Sequence, residues 1–294
     1  MKFDTIEVVR VRTHLGLVPG VEQLGDALID AGLGSALGAT LGPVVEAPRG
    51  ARLRDPVSKL LDVDGMVAVA HRQAEAVDEV LGRERFPLVL GGDDSVLFGS
   101  LLALRDRGTY GLAFLDAHTD YYPPADSPTG EASDSEVYLS FGNQPDFVDL
   151  FGDEFLVAPA HTILIGHRDP DEIRDTDPAL DATDATVIPL AELRRCGVDS
   201  VARRALEVLD DARLDGFLIH VDADVLHDDL MPAVDYRLPD GLTRDEFVGL
   251  LGRLLAHERA IGLDVTIYNP ALDPDRTAAR TLADCLVEAF GGPG

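Results

Sequence analysis

Two short acidic motifs carry the residue types that hold divalent cations. Asp116, His118 and Asp120 stand on alternate residues, and Asp222 and Asp224 form a second alternate pair. In extended backbone alternate side chains share a face, and carboxylates gathered in one cleft cannot all stay ionised without a cation. Oxygen-rich donors with one imidazole and no thiolate favour Mn²⁺, Mg²⁺ or Ca²⁺ over structural zinc. The open alternative is that these acids are loop caps and exposed turn residues.

Each motif directly follows an apolar run of the kind that forms a buried strand. The run 86–90 leads into Gly91-Gly92-Asp93-Asp94-Ser95, the run 111–115 into Asp116, and the run 216–221 into Asp222. Function in open α/β sheets lies at the carboxyl ends of the strands. We therefore expect these acids, with Asp94, to cluster at one edge of a sheet. His220, just before Asp222, is interpreted as a core histidine or as a group behind the ligands.

Apolar runs and helical segments alternate along the chain, which predicts a mainly parallel sheet with helices on both faces. Neither a repeat nor a Ser/Gly-rich linker interrupts the pattern, so residues 1–294 are expected to form a single domain, with a long polar loop at 121–135. The predicted strands are 6–11, 43–45, 86–90, 111–115, 161–165, 186–189, 216–221 and 260–265, and the predicted helices are 21–33, 64–81, 95–104, 200–209, 244–257 and 276–289.

The charge balance excludes several classes of partner. The 294 residues hold 53 Asp and Glu against 25 Lys and Arg, a net charge of −28. Such a surface repels phosphate backbones and anionic lipids, so neither nucleic acid nor a membrane is an expected partner. It suits a cationic ligand, a bound metal or solubility at high salt. Cys196 and Cys285 are isolated, and with no signal peptide visible a cytoplasmic location is expected.

Three motifs, in order, resemble those of the ureohydrolase superfamily, which includes arginase, agmatinase and formiminoglutamase. The segment 91–95 looks like the family's Gly-Gly-Asp-His-Ser, and 116–120 matches Asp-Ala-His-x-Asp. The segment 221–224, with the Pro- and Gly-punctuated loop at 231–242, is similar to the family's Asp-x-Asp region. The resemblance spans nearly the whole chain and is specific for the superfamily rather than for a substrate.

The resemblance implies an arginase-like three-layer α/β/α fold, a homo-oligomer, and two Mn²⁺ ions per chain. A hydroxide that bridges the ions would attack the planar carbon of a guanidinium or amidine. One ion would take Asp94, Asp116, Asp120 and Asp222, the other Asp116, His118, Asp222 and Asp224, and the residues predicted to be catalytic are Asp120, His118, Asp224 and Glu131.

The sequence departs from the family pattern at three positions. Asp94 replaces a histidine ligand, so five aspartates leave one negative charge against two divalent ions, where the usual set leaves none. The first metal is then expected to be weaker, or Asp94 is no ligand and one metal or none binds. Ile267 stands where arginase and agmatinase have a glutamate that holds the guanidinium. Ser133 stands at the family's proton-relaying histidine, and Glu131 is either a replacement acid or a solvated loop residue.

These departures shape the predicted function. Thr129, Asp171 and Ile267 are predicted substrate contacts, with Asp171 alternatively a first-turn acid of a helix. We predict a metal-dependent hydrolase of a linear C–N bond in a guanidino-, hydroxyguanidino- or amidine-type small metabolite, not a standard arginase. The substrate is expected to be cationic or hydroxyguanidine-like. The alternative is an inactive superfamily member that acts as a binding or oligomer-forming protein; the five retained ligands favour the enzyme.

Overall fold

The computed structural model describes residues 5–15, 19–48, 52–152 and 155–291, and within them eight parallel strands form one sheet. The sheet order is β2-β1-β3-β8-β7-β4-β5-β6. The predicted strands are confirmed, with ends that differ by up to three residues. They are β1 (Ile6–Arg12), β2 (Thr40–Glu46), β3 (Phe86–Leu90), β4 (Tyr110–Leu115), β5 (Thr162–Ile165), β6 (Thr186–Ile188), β7 (Gly216–Asp222) and β8 (Ala260–Thr266).

Helices cover both faces of the sheet, so the predicted three layers are present. The α-helices of the described part are α1 (Leu24–Asp30), α2 (Leu33–Ala36), α3 (Val63–Gly82), α4 (Val96–Arg105), α5 (Glu136–Ser140), α6 (Pro145–Phe151), α7 (Pro170–Asp175), α8 (Asp177–Leu180), α9 (Leu190–Cys196), α10 (Val198–Leu209), α11 (Arg244–Ala256) and α12 (Thr277–Ala289). One core packs α1, α2 and α9 to α12 on the sheet, and the other packs α3 to α6 on the opposite face.

The central strands are apolar on both faces because both are covered. In β3, Phe86, Leu88 and Leu90 point into one core and Val89 into the other. The site depends on four neighbouring strands, β3, β8, β7 and β4, whose order in the sheet differs from their order in the chain. Their carboxyl ends therefore bring together segments that are up to about 175 residues apart in sequence, from β3 to β8.

Two sequence expectations need correction. The helix predicted over 21–33 is two helices, α1 and α2, because Gly32 adopts a left-handed φ of 99° that ends the first and starts the second. No element was predicted between the polar loop and the strand at 161–165, yet α5 begins immediately after the loop, at Glu136. This short helix carries a carboxylate into the site.

Candidate metal centre

The first donor group joins the ends of β4 and β7. Nδ1 of His118 lies 3.0 Å from Asp224 Oδ2 and 3.4 Å from Asp116 Oδ1. The backbone N–H of Ala117 donates to Asp224 Oδ1 at 3.1 Å, which ties the two strand ends together. On the far side of the ring, Nε2 faces Asp169 Oδ2 at 3.6 Å. The donor atoms of Asp116, His118 and Asp224 lie within 4.8 Å of one another, close enough to share a cation.

A second donor group consists of Asp116, Asp120 and Glu136, again with donor atoms within 4.8 Å. Asp120 adopts a left-handed φ of 46°, a strained conformation of the kind that concentrates at functional sites. Its carbonyl accepts from the N–H of Val137, so the first turn of α5 is fixed to it. Glu136 is fully buried, and neither of its carboxylate oxygens has a hydrogen-bond partner.

A third group combines Asp94, Glu136 and His220 within the same 4.8 Å limit. Asp94, from the loop after β3, is buried, and His220 Nε2 faces its Oδ1 at 3.4 Å. His220 lies on β7 with its side chain fully buried. Glu136 therefore stands between the second and third groups and links them.

The pKa values of the cluster show that it lacks positive charge. Burial and the Asp224 charge raise the pKa of Asp116 to about 7. Burial, then the neighbouring carboxylates, raises the pKa values of Asp120 and Glu136 well above their usual range. Burial opposes protonation of His118, but Asp224 and Asp116 raise its pKa well above the ordinary value. Divalent cations would supply the missing charge, and the unpartnered oxygens of Glu136 fit that requirement.

Asp222 lies beside these groups rather than in one of them. It lines the same cavity, and its Oδ1 accepts from the N–H of Asp224 at 2.6 Å. Burial, then the charges of Asp224 and Asp116, raises its pKa well above the ordinary value. The structure thus brings the six predicted ligands to one place, while the roles assigned to them stay predictions.

The donor groups open into a cavity of about 300 Å³. Eleven of the nineteen described residues that line it are Asp or Glu, and none of these nineteen is Lys or Arg. Tyr236 lies over His118, with ring centroids 5.4 Å apart. The lining is therefore suited to cations, and it also includes the predicted residues Thr129, Glu131, Ser133, Asp171 and Ile267.

The predicted substrate contacts differ in how they are held. The hydroxyl of Thr129 donates to Asp134 at 2.6 Å. Ile267 has a left-handed φ of 70°, unusual for a β-branched residue. Asp171 lies in the first turn of α7, as the alternative prediction had it, and pairs with Arg174 at 2.9 Å. Its side chain also lines the cavity.

Two members of the donor groups were not predicted as ligands. Counting along the loop directed attention to Glu131 and Ser133, but Glu136 is the carboxylate that enters the donor groups. Its i+3 and i+4 neighbours, Leu139 and Ser140, are buried, a helical spacing that places Glu136 on the inward face. For His220 the available signal was its position two residues before Asp222 on the same strand face.

None of the helices in the described ranges is long and apolar enough to cross a membrane.

A model of the arginase family matches residues 25–291. The chain belongs to the arginase family. An arginase of Staphylococcus aureus (strain MRSA252) is 25% identical over 285 residues, covering 95% of this chain and 88% of that protein. The solved arginase of Bacillus caldovelox superposes with a TM-score of 0.89 at 25% identity, covering 100% of this chain and 99% of that one.

The likeness extends beyond arginases. The formimidoylglutamase of Bacillus subtilis shares the fold, with a TM-score of 0.77 at 19% identity, over 99% of this chain and 87% of that one. The resemblance to the ureohydrolase superfamily and the arginase-like fold are therefore confirmed.

Proposed function

We propose that this member of the arginase family hydrolyses a C–N bond of a guanidino-type small metabolite with the help of two Mn²⁺ ions per chain. The observation that carries the proposal is the convergence of buried carboxylates and His118 from the carboxyl ends of β3, β4 and β7 on the floor of an acidic cavity. An inactive relative would have no physical reason to retain donors that repel one another in the absence of cations.

The first ion would be held by Asp94, Asp116, Asp120 and Asp222, and the second by Asp116, His118, Asp222 and Asp224. When bound, the ions supply Lewis acidity and lower the pKa of water in the cleft. Asp169 Oδ2 lies 3.6 Å from His118 Nε2, on the side of the ring opposite Asp224 and Asp116. Glu131, on the cavity wall, would transfer a proton to the departing amine nitrogen.

The residues that line the cavity favour a substrate other than arginine. Ile267 offers no counter-charge to a guanidinium at the position where arginase and agmatinase carry a glutamate. A hydroxyguanidine has a lower pKa than a guanidine, so it can bind there as a neutral group. The acids of the wall, Asp171 and Glu131 among them, suit a cationic group elsewhere on the same molecule.

The test is a substrate screen after loading with Mn²⁺. An N-hydroxyguanidino compound and water should yield the parent amine and hydroxyurea, whereas arginine and agmatine should give little or no urea. Ile267→Glu should lower the KM for agmatine, and Ile267→Gln, similar in size but uncharged, should not. Urea release from arginine at ordinary enzymatic rates by the wild type, with hydroxyguanidines inert, would overturn the substrate assignment. No turnover of any guanidino, hydroxyguanidino or formimino compound would favour the inactive alternative.

That the protein is cytoplasmic and forms a homo-oligomer stays a prediction.

A further inference from the structure

His220 is oriented like a metal-binding histidine although its position was not predicted as a ligand. It pairs in register with Phe114 on β4 and with Asp264 on β8, so the three side chains share one face of the sheet. The imidazole stacks on the Phe114 ring, with centroids 5.1 Å apart and planes within 5°. These contacts fix the ring with one nitrogen toward Asp94 and the other toward Asp264.

One nitrogen of His220 faces Asp94, which lines the cavity, and the other faces Asp264, which lies on β8 behind the ring. Nδ1 lies 3.8 Å from Asp264 Oδ2, and neither atom has a hydrogen-bond partner. The other oxygen of Asp264 accepts from Ser100 on α4 at 2.8 Å, so Asp264 is held in place. Nε2 faces Asp94 on the cavity side at 3.4 Å. In histidine ligands the second ring nitrogen commonly donates to a carboxylate behind the ring, which orients the nitrogen that binds the metal. Asp264 stands on that side of His220, 3.8 Å from Nδ1.

Glu136 completes the set from the opposite direction. Its carboxylate is fully buried, unpartnered at both oxygens, and within 4.8 Å of the donor atoms of Asp94 and His220. Two carboxylates this close without a cation are costly to bury. One divalent ion together with a neutral imidazole would balance both charges.

We propose that Glu136 and His220 join Asp94 in holding the first of the two divalent cations, so that His220 supplies the imidazole that is missing at position 94. Glu136, the first residue of α5, is then a metal ligand. The inference rests on the proposed binding of two cations in this cleft and specifies how one of them is held.

Metal content tests the inference directly. Metal-free protein is dialysed against Mn²⁺, the bound metal is counted, and electron paramagnetic resonance reports whether two ions are spin-coupled. The wild type should bind two coupled ions. Glu136→Gln and His220→Gln should each keep only the ion on the His118 side and lose the coupled signal. The affinity for the ion on the Asp94 side should fall by at least about tenfold. Asp264→Asn, behind the ligand, should weaken the same ion by about 10–100-fold. Asp171→Asn removes an equal charge from the cavity rim and should still bind two.

Thermal unfolding without metal separates a ligand from a merely structural residue. At alkaline pH, metal-free Glu136→Gln should melt at a higher temperature than the metal-free wild type, because the amide replaces a carboxyl group whose ionisation beside Asp94 is costly when buried. The same variant should gain less stability from Mn²⁺. If Glu136→Gln does not fold, His220→Gln and Asp264→Asn carry the test.

The outcomes separate this inference from the proposed function. Two coupled ions in the wild type and in both ligand variants would overturn the inference and leave the function standing. One ion in the wild type, unchanged by the variants, would mean that His220 acts as a fixed cation between Asp94 and Asp264, and the inference would be wrong. A wild type that binds no Mn²⁺ would overturn both.

Discussion

At the residue scale, the cleft stores protons in the absence of metal. Burial and the neighbouring charge of Asp224 raise the pKa of Asp116 to about 7, well above the usual range of an aspartate. Burial alone would lower the pKa of His220, but Asp264 and Asp94 raise it to about 9 from 6.5. The native state binds more protons than the unfolded chain between pH 3.8 and about 7 because of Asp116, and between pH 6.5 and about 9 because of His220. The stability of the fold therefore falls as the pH rises through these two ranges.

We therefore expect the metal-free protein to be more stable near pH 6 than near pH 8.5, by roughly 2 kcal/mol or more. Urea unfolding in the presence of a chelator at several pH values measures this difference. The double variant Asp116→Asn with His220→Gln should flatten the dependence. Stability that rises between pH 6 and pH 8.5 would contradict the assignment of these pKa shifts.

The shared aspartates should decide whether metal binds at all. Asp116 belongs to two donor groups, and Asp222 lies beside them. Mn²⁺ at a hundred times its dissociation constant should stabilise the wild type by about 2.7 kcal/mol. The double variant Asp116→Ala with Asp222→Ala should bind no metal and gain nothing in a thermal melt. If both proteins hold the same metal and show the same gain, the cleft is not a metal site.

At the element scale, the loop between β3 and α4 positions Asp94, and it depends on a close approach of two backbones. A Cβ at Gly92 would lie 1.7 Å from the carbonyl oxygen of Thr13. The side chain of Asp93 holds the same segment, since it accepts from the Thr13 hydroxyl at 2.9 Å and from the Leu15 N–H at 2.8 Å. Glycine at 92 is therefore a steric requirement of the site.

Gly92→Ala should destabilise the protein by about 3 kcal/mol or more and displace Asp94, because backbone cannot yield as a flexible side chain can. Gly82→Ala is the matched control: the added methyl at the end of α3 meets nothing within 4 Å and should stabilise by up to about 1 kcal/mol. Denaturant midpoints measure both. Equal effects of the two changes would contradict the close packing of this loop.

At the scale of the whole molecule, self-repulsion opposes folding. With 53 acidic against 25 basic side chains, many carboxylates have no basic partner available. The described ion pairs are mostly at the surface, where each contributes little. Added salt screens repulsion between exposed charges over about a Debye length.

Raising NaCl from about 0.05 to 0.5 M should therefore raise the melting temperature of the metal-free protein by several degrees. KCl at the same ionic strength should act equally, which separates screening from specific ion binding. A melting temperature that falls with added salt would mean that the surface ion pairs outweigh the repulsion.

The sequence by itself determined what depends on neighbouring residues. The eight apolar runs predicted the strands because a buried parallel strand needs continuous apolar side chains. The motifs around Asp116 and Asp222 predicted donors on one face because alternation in extended backbone is a local property. The family motifs located Asp94 for the same reason.

Only the tertiary structure decided which donors meet. The insertion of β8 between β3 and β7 places Asp264 beside His220, and the packing of α5 against α4 places Glu136 among the aspartates. Both depend on contacts between residues far apart in the chain, whose spacing in sequence carries no information about their distance in space. The balance of charge in the cleft follows from these contacts, because the pKa of a carboxylate rises when folding removes it from water and brings other carboxylates close to it.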